Sequence, residues 1–205
     1  MTSSTGTARL ITDADVPTAV DTLARAFANY PYTRYVIDAD NHLERIRRYQ
    51  ELCLTRIAMV YGKVWIVDGG RAVAAWSTPD QDPTAAFAEM EVELSELIGD
   101  RSEAAAASEA AIEPYRPQEP VWMLNTVAVA PEHQGRGLGT AVLRPGIEEA
   151  ARAGYPAFLE TSSEANVRFY QHLGFEVTAD VTLADNGLRT WCMRREPSQE
   201  SQWRR

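Results

Sequence analysis

The stretch Gln134-Gly135-Arg136-Gly137-Leu138-Gly139 follows a strand-like run at residues 123–129 and precedes a helix-like run that begins at Thr140. Glycines in such a turn allow consecutive backbone N–H groups to point at one spot, and the N-terminus of the following helix adds a partial positive charge. The order of strand, glycine turn and helix therefore predicts a binding site for phosphate groups within an α/β fold.

Two common phosphate-binding motifs do not match this stretch. A P-loop ends in Gly-Lys-Ser/Thr, and that ending is missing here. A Rossmann fingerprint has its third glycine one residue later and an acidic residue about 20 positions further on, and neither feature fits well. The sequence therefore favours a phosphate-bearing ligand of another type.

The pattern Gln/Arg-x-x-Gly-x-Gly, after a strand that ends Val127-Ala128-Val129, resembles the acetyl-CoA loop of the GNAT N-acetyltransferases. The resemblance implies that the loop holds the pyrophosphate of CoA and that the preceding strand holds the acetyl group and the pantetheine arm. The amide of Val127 is then the candidate donor to the oxyanion, with an ordinary central strand as the alternative. The implied cofactor-binding residues are Val127, Ala128, Val129, Gln134, Gly135, Arg136, Gly137, Leu138, Gly139 and Thr140.

A second segment, residues 163–175, resembles the second CoA motif of the same superfamily. Asn166 and Tyr170 are four positions apart and share one face of the predicted helix, which Gly174 ends as a left-handed cap. The resemblance implies that Asn166 binds the pantetheine arm and that Tyr170 lies near the thioester sulfur as candidate general acid. A phenol has an ordinary pKa of about 10 and a thiol about 8.5, so a hydrogen bond that strengthens as charge grows on sulfur is useful. A tyrosine that only packs is the alternative.

The chain of 205 residues, 45% of them hydrophobic, predicts one domain at 1–196 and a polar, frayed tail at 197–205. The order of elements matches the GNAT fold, an α/β architecture with a mixed sheet and helices on both faces. The resemblance implies that this sheet splays between its fourth and fifth strands. The predicted strands lie at 9–11, 62–67, 72–76, 121–129, 156–160, 176–182 and 188–193, with a turn at Asp185-Asn186-Gly187 before the last.

Helices are predicted after Thr12, from Leu43 to Val60, from Ala85 to Ile112 with a break near Gly99, and after the two CoA motifs. Pro31 is expected to end the first helix. Pro145-Gly146 is expected to kink or end the helix after the glycine loop, because proline removes one of its hydrogen bonds.

Segments across nearly the whole chain also resemble the puromycin N-acetyltransferases. They lie at 22–31, 62–65, 119–122, 145–146, 156–162 and 189–193. This resemblance implies acetyl transfer from acetyl-CoA to the primary amine of puromycin, a small aromatic amine, by direct transfer in a ternary complex. The alternatives are acetylation of another small amine, an amino acid, an aminoglycoside or a peptide N-terminus, and a non-catalytic acyl-CoA sensor on the same fold.

The acceptor side of the predicted cleft has candidate bases and aromatic rings. Glu160 is the first candidate for the general base, with Glu119 and Tyr30 as others, and a bond to neighbouring backbone is the alternative for Glu160. Tyr30, Tyr32 and Tyr35 fall in the predicted linker after the first helix and could stack on an aryl amine or pack beneath the loop. Trp65, Trp76 and Trp122 lie on strands and are expected in the core.

A net charge of −9 argues against nucleic acid as a partner. No apolar run has the length of a membrane span, and the N-terminus lacks the pattern of a signal peptide. Cys53 and Cys192 lie far apart, which favours free thiols in a reducing cytoplasm, and three scattered histidines, His42, His133 and His172, predict no metal site. The sequence leaves monomer and homodimer open.

Overall fold

The computed structural model describes residues 6–183 and 188–197. Seven strands form one mixed sheet, in which β4 and β5 are the parallel pair. The spatial order of the strands is β1-β2-β3-β4-β5-β7-β6. The strands are β1 (Arg9–Leu10), β2 (Gly62–Val67), β3 (Ala72–Ser77), β4 (Trp122–Val129), β5 (Ala157–Thr161), β6 (Glu176–Thr182) and β7 (Arg189–Arg195).

Helices cover both faces of this sheet, as predicted. A π-helical segment, Cys53–Ala58, joins two of them. The helices are α1 (Val16–Phe27), α2 (Pro31–Val36), α3 (His42–Leu52), α4 (Met59–Tyr61), α5 (Thr84–Ile98), α6 (Ser102–Ile112), α7 (Leu138–Arg152) and α8 (Glu164–His172). The mixed α/β fold of the prediction is therefore confirmed.

Side chains alternate between the two faces of the sheet, so the protein has one hydrophobic core on each face. On one face, Trp76, Leu124 and Leu159 pack with Val142 and Leu143 of α7. On the other face, residues of α1, α2 and α6 cover the sheet, and Phe158 packs there with Tyr35 and Ile112. The three strand tryptophans, Trp65, Trp76 and Trp122, are buried as expected.

The sheet splits between β4 and β5. Pairing runs through Trp122–Ala157 and Met123–Phe158 to Leu124–Leu159 and then stops, although β4 continues to Val129. A β-bulge lies at this point, since β4 pairs with β3 through Leu124 and Thr126 and leaves Asn125 as the extra residue. Bulges bend the strand that carries them, so the bulge accounts for the divergence of β4 from β5. The predicted splay between the fourth and fifth strands is confirmed.

The linker after α1 is partly helical, contrary to the prediction. The first helix ends at Phe27, and Pro31 begins α2 instead of ending α1. Proline is favoured at the first helical position because its missing N–H would have no partner there and its fixed φ suits a helix. Tyr30 therefore caps α2, and the other two tyrosines lie on it.

A kink or an end of the helix is predicted at Pro145, and the helix does not end there. The helix α7 runs unbroken from Leu138 to Arg152, with Pro145 inside it. Its buried face continues past the proline, and a Cβ added at Gly146 would lie 2.4 Å from Nε1 of Trp76. Close packing of α7 on the sheet therefore outweighs the loss of one helical hydrogen bond.

The predicted break near Gly99 is confirmed, since α5 ends at Ile98 and α6 starts at Ser102. The predicted turn at 185–187 lies outside the described residues, and so does the tail beyond Pro197.

Candidate active site

The glycine loop leads from β4 into α7. Gly135 and Gly137 have φ values of 73° and 78°, in the left-handed region that favours glycine, and Gly137 is the N-cap of α7. A Cβ added at either glycine would meet nothing within 4 Å. The first N–H groups of the 15-residue helix, at Leu138, Gly139 and Thr140, have no partner within the helix. The loop thus offers open space and orphan donors to an anion.

Side chains in and near the glycine loop contact residues on β4, before the loop and on α8. Nε2 of Gln134 donates to the carbonyl of Val129 at 3.3 Å, and Arg136 reaches Nδ1 of His133 at 3.4 Å. The ring of Phe169 on α8 lies 3.3 Å from the position of a Cβ on Gly139. The two predicted CoA motifs are therefore adjacent in the fold, although about 30 residues separate them in the chain.

The free edge of β4 faces the split. The N–H of Ala130 donates to the carbonyl of Arg71 at 2.8 Å, which directs Ala130 towards β3. Backbone groups alternate along a strand, so Ala128 also faces β3, whereas Val127 and Val129 face the side where β5 no longer pairs. The N–H of Val127 is therefore exposed to the split. The backbone of Ala128 pairs with β3, so cofactor binding by Ala128 stays a prediction.

The two predicted residues of α8 lie beside the split. Nδ2 of Asn166 donates to Oγ1 of Thr161 at 3.3 Å. Tyr170 is 5% exposed, with its ring edge-on to Phe175 at 5.9 Å. Within residues 6–183 and 188–197, no hydrogen bond is seen for the hydroxyl of Tyr170. Burial raises the pKa of Tyr170 above its ordinary value, with a further contribution from Tyr30, so the phenol keeps its proton at neutral pH.

Tyr30 connects the acceptor side to the end of β5. Its hydroxyl accepts the N–H of Ser162 at 2.6 Å and shares a hydrogen bond with Oγ1 of Thr161 at 3.0 Å. Thr161 thereby bridges Tyr30 of α2 and Asn166 of α8. Sequence reasoning missed Thr161, since nothing local distinguishes it from any other threonine at a strand end.

Glu160 forms an ion pair that the sequence did not predict. Nε of Arg116 donates to Oε1 of Glu160 at 2.7 Å, and Nη2 of Arg116 donates to Oε2 of Glu160 at 3.1 Å. The remaining nitrogen, Nη1, donates to Glu109 at 2.8 Å. The hydrogen bond to Glu160 is the largest cause that raises the pKa of Arg116, with Glu109 adding to it and burial opposing it. Glu160 is therefore held by a guanidinium fork rather than by neighbouring backbone.

The predicted acceptor tyrosines take different positions. The hydroxyl of Tyr32 accepts from Ser108 at 3.2 Å and donates to Glu109 at 3.4 Å, and burial is the main cause that raises the pKa of Tyr32 to about 12. Tyr35 is instead a core residue, 5% exposed, with the guanidinium of Arg101 over its ring. It fills the space between α2 and the sheet, so its ring does not line the cleft.

Glu119 forms an ion pair with an arginine of β7. It precedes β4 and its partner is Arg194, whereas Glu160 lies beyond the last paired residue of β5. That Glu119 contacts the acceptor amine therefore stays a prediction.

Within residues 6–183 and 188–197, no group of three or more His, Cys, Asp or Glu side chains could hold a metal ion. In the same part of the chain, no helix is both long and apolar enough to cross a membrane.

Comparison with known proteins gives a family match. The model of the acetyltransferase (GNAT) family matches residues 64–175, slightly more than half of the chain. An L-methionine sulfoximine/L-methionine sulfone acetyltransferase of Salmonella typhimurium is 42% identical over 70 residues, and the L-amino acid N-acyltransferase MnaT of Escherichia coli is 36% identical over 70 residues. Each alignment covers 33% of this chain and 41% of the relative, so the chain spans about two fifths of the length of the curated relatives it matches.

Solved structures extend the likeness over the whole fold. A structure described as histone acetyltransferase HPA2 and related acetyltransferase from Corynebacterium glutamicum is 28% identical, with a TM-score of 0.73, and the match covers 95% of this chain and 97% of that one. The YncA protein of Salmonella typhimurium, solved with its cofactor acetyl-CoA, is 21% identical with a TM-score of 0.52 and 97% coverage of both chains. The second match supports the fold alone.

Proposed function

The chain belongs to the acetyltransferase (GNAT) family, and we propose that it transfers acetyl from acetyl-CoA to the primary amine of a small aromatic acceptor. The observation that carries this proposal is the split between β4 and β5, into which the N–H of Val127 points. The glycine loop lies at one end of that split, and Tyr170 lies on the helix beside it. A thioester, an oxyanion donor and an acid for the leaving thiolate can therefore meet in one place.

CoA binding is assigned to the loop and the free edge of β4. The N–H groups at the start of α7 would bind the pyrophosphate, and Gly135 and Gly137 leave the space for it. Val127 and Val129 would bond the pantetheine arm as a neighbouring strand does, and Asn166 would donate to it from α8. The side chain of Arg136 is exposed and free to approach a phosphate.

The chemical step is a direct acyl transfer. The lone pair of the acceptor amine attacks the thioester carbonyl, a C–N bond forms, and the carbonyl oxygen becomes an oxyanion that accepts the N–H of Val127. Collapse of this intermediate breaks the C–S bond, and the thiolate takes a proton from Tyr170. The attacking amine loses a proton to solvent, and solvent returns a proton to Tyr170. The buried Tyr170 remains protonated until this step.

A weak general base is enough to deprotonate the acceptor amine. An α-amine with an ordinary pKa of about 7.7–8.0 is partly neutral at pH 7. Both oxygens of Glu160 accept hydrogen bonds from Arg116, which fixes the position of the carboxylate. We propose Glu160 as the first candidate for the general base, acting through water, with the hydroxyl of Tyr30 as the alternative.

Puromycin is the first acceptor to test, on the strength of the sequence resemblance around Tyr30 and Glu160. The names of the curated relatives instead favour amino acids as a second class of acceptor. A thiol-release assay with acetyl-CoA and puromycin, O-methyltyrosine amide, free O-methyltyrosine and an aliphatic amine separates these classes. Equal efficiency on the aliphatic amine would remove the aromatic acceptor, and CoA binding with no thiol release on any amine would favour an acyl-CoA sensor.

The compartment is proposed to be the cytoplasm. Cys53 and Cys192 are both free thiols, and burial raises the pKa of each to about 11, which keeps them protonated and unreactive. Such thiols suit a reducing environment.

Light scattering of the purified protein would decide between monomer and homodimer.

A further inference from the structure

A charged triad lines the acceptor side, formed by Glu109 on α6, Arg116 in the link to β4, and Glu160 on β5. Arg116 uses three of its five N–H donors in the triad, two towards Glu160 and one towards Glu109. One cation between two carboxylates leaves a net charge of minus one. The hydroxyl of Tyr32 also bonds Glu109, which ties the triad to α2.

The triad lies on the face of the sheet away from α7. Side chains alternate along β5, so Glu160 points to the same face as Phe158, whereas Leu159 packs with α7. Glu160 is 17% exposed and precedes Thr161, which bonds both Tyr30 and Asn166. The triad therefore lies one residue along β5 from Thr161, which bonds the proposed CoA-binding residue Asn166.

We propose that Glu109 determines the charge selectivity of the acceptor cleft by occupying Arg116. An unoccupied guanidinium beside the cleft would bind a carboxylate, which is how proteins commonly recognise free amino acids. With Glu109 and Glu160 both on Arg116, the cleft rejects an acceptor carboxylate and admits an amine next to an uncharged amide or ester. This inference rests on the proposed function and narrows its acceptor class.

Glu109 is the residue to change, because its removal frees one guanidinium N–H of Arg116 while both bonds to Glu160 remain. Its side chain is 54% exposed and lies in an alanine-rich helix, so Glu109→Ala keeps a good helix former. Glu103→Ala is the matched control, since it removes the same charge from the same helix about 9 Å further towards its N-terminus. No ion pair of Glu103 is recorded among the described residues.

The test compares O-methyltyrosine with O-methyltyrosine amide, by kcat/KM and by calorimetric affinity in the presence of CoA. The wild type should prefer the amide at least tenfold. Glu109→Ala should narrow that preference about tenfold, the worth of one charge-assisted hydrogen bond, with little change for the amide itself. Glu103→Ala should leave the preference within about twofold.

The second variant ties the effect to Arg116. Glu109→Ala combined with Arg116→Met should lose the increase in kcat/KM and affinity for O-methyltyrosine that Glu109→Ala alone gives. Thermal melts would show that each variant folds. An unchanged preference in Glu109→Ala, or an equal change in Glu103→Ala, would overturn the proposal, and so would the absence of binding by either compound. Binding of the amide without turnover of any amine would instead refute the proposed function and leave the selectivity readable from the affinities.

Discussion

Replacing Gly137 by aspartate tests the CoA loop, and the structure sets the expected size of the effect. Gly137 has φ of 78° and nothing within 4 Å of its missing Cβ, so the side chain meets no steric obstacle. The cost to folding is the left-handed conformation, about 1–2 kcal/mol for most residues and less for aspartate. For a chain of this length that lowers the melting temperature by about 2–4 °C per kcal/mol.

The loss in CoA binding should be larger. The new carboxylate would lie beside the pyrophosphate, and two unit charges about 4 Å apart repel by about 1 kcal/mol in water and about 4 kcal/mol at a protein surface. The expected loss of affinity is therefore about fivefold to several hundred-fold. It should shrink at high salt, because exposed charges are screened.

Gly154 provides a matched control at the other end of α7. It has φ of 79° and nothing within 4 Å of its missing Cβ. Gly154→Asp places a negative charge at the C-terminal end of the helix, where the dipole disfavours it, so this variant should be at least as destabilised as Gly137→Asp. It should nevertheless bind CoA like the wild type.

Calorimetric titration with CoA and with pantetheine, which lacks the pyrophosphate, measures the effect. Gly137→Asp should lose affinity for CoA and keep its affinity for pantetheine. If a folded Gly137→Asp protein bound CoA as tightly as the wild type, the loop would have no part in binding the cofactor. An equal loss in Gly154→Asp would assign the effect to stability instead.

Three further changes test the acid, the packing of α7 and an ion pair. Tyr170→Phe should lower kcat by about 10²–10⁴-fold with CoA affinity nearly unchanged, and a wild-type rate at pH 7–8 would make Tyr170 a packing residue. Gly146→Ala should destabilise the fold by about 1–3 kcal/mol, measured by urea unfolding, because its Cβ would lie 2.4 Å from Nε1 of Trp76; no loss would mean that α7 can shift. Arg9 and Thr12 lower the pKa of the buried Asp15, so its ionised form stabilises the protein above about pH 4 and this contribution is lost as the pH falls. Asp15→Asn should therefore melt below the wild type at pH 7, with a gap that starts to narrow as the pH falls below about 4. A gap that does not change with pH would exclude the ion pair as the cause.

The parts of the site that follow from local backbone chemistry were predictable. Gly135 and Gly137 were expected to form an anion-binding turn, and both adopt the left-handed conformation that such a turn requires. The same holds for the helix break near Gly99. A glycine at a special backbone position is visible in sequence, because few other residues tolerate it.

The parts that depend on distant residues were not predictable from pattern. Arg116 and Glu160 are 44 positions apart, and no local periodicity connects them. The bulge at Asn125 has no sequence mark either, although it opens the split. Pro31 and Pro145 could each have ended a helix, and tertiary packing decided that one begins a helix and the other lies inside one.

In the proposed function, acetyl passes from CoA to a primary amine at the split between β4 and β5. The most direct measurement is the amount of free thiol and of N-acetylated product, determined by mass spectrometry in one reaction with acetyl-CoA and puromycin or O-methyltyrosine amide. The wild type should give equal molar amounts of the two products, and Tyr170→Phe should lose both. Tight acetyl-CoA binding with no N-acetylated product from any amine, or with thiol release that does not depend on the amine, would contradict the proposed function.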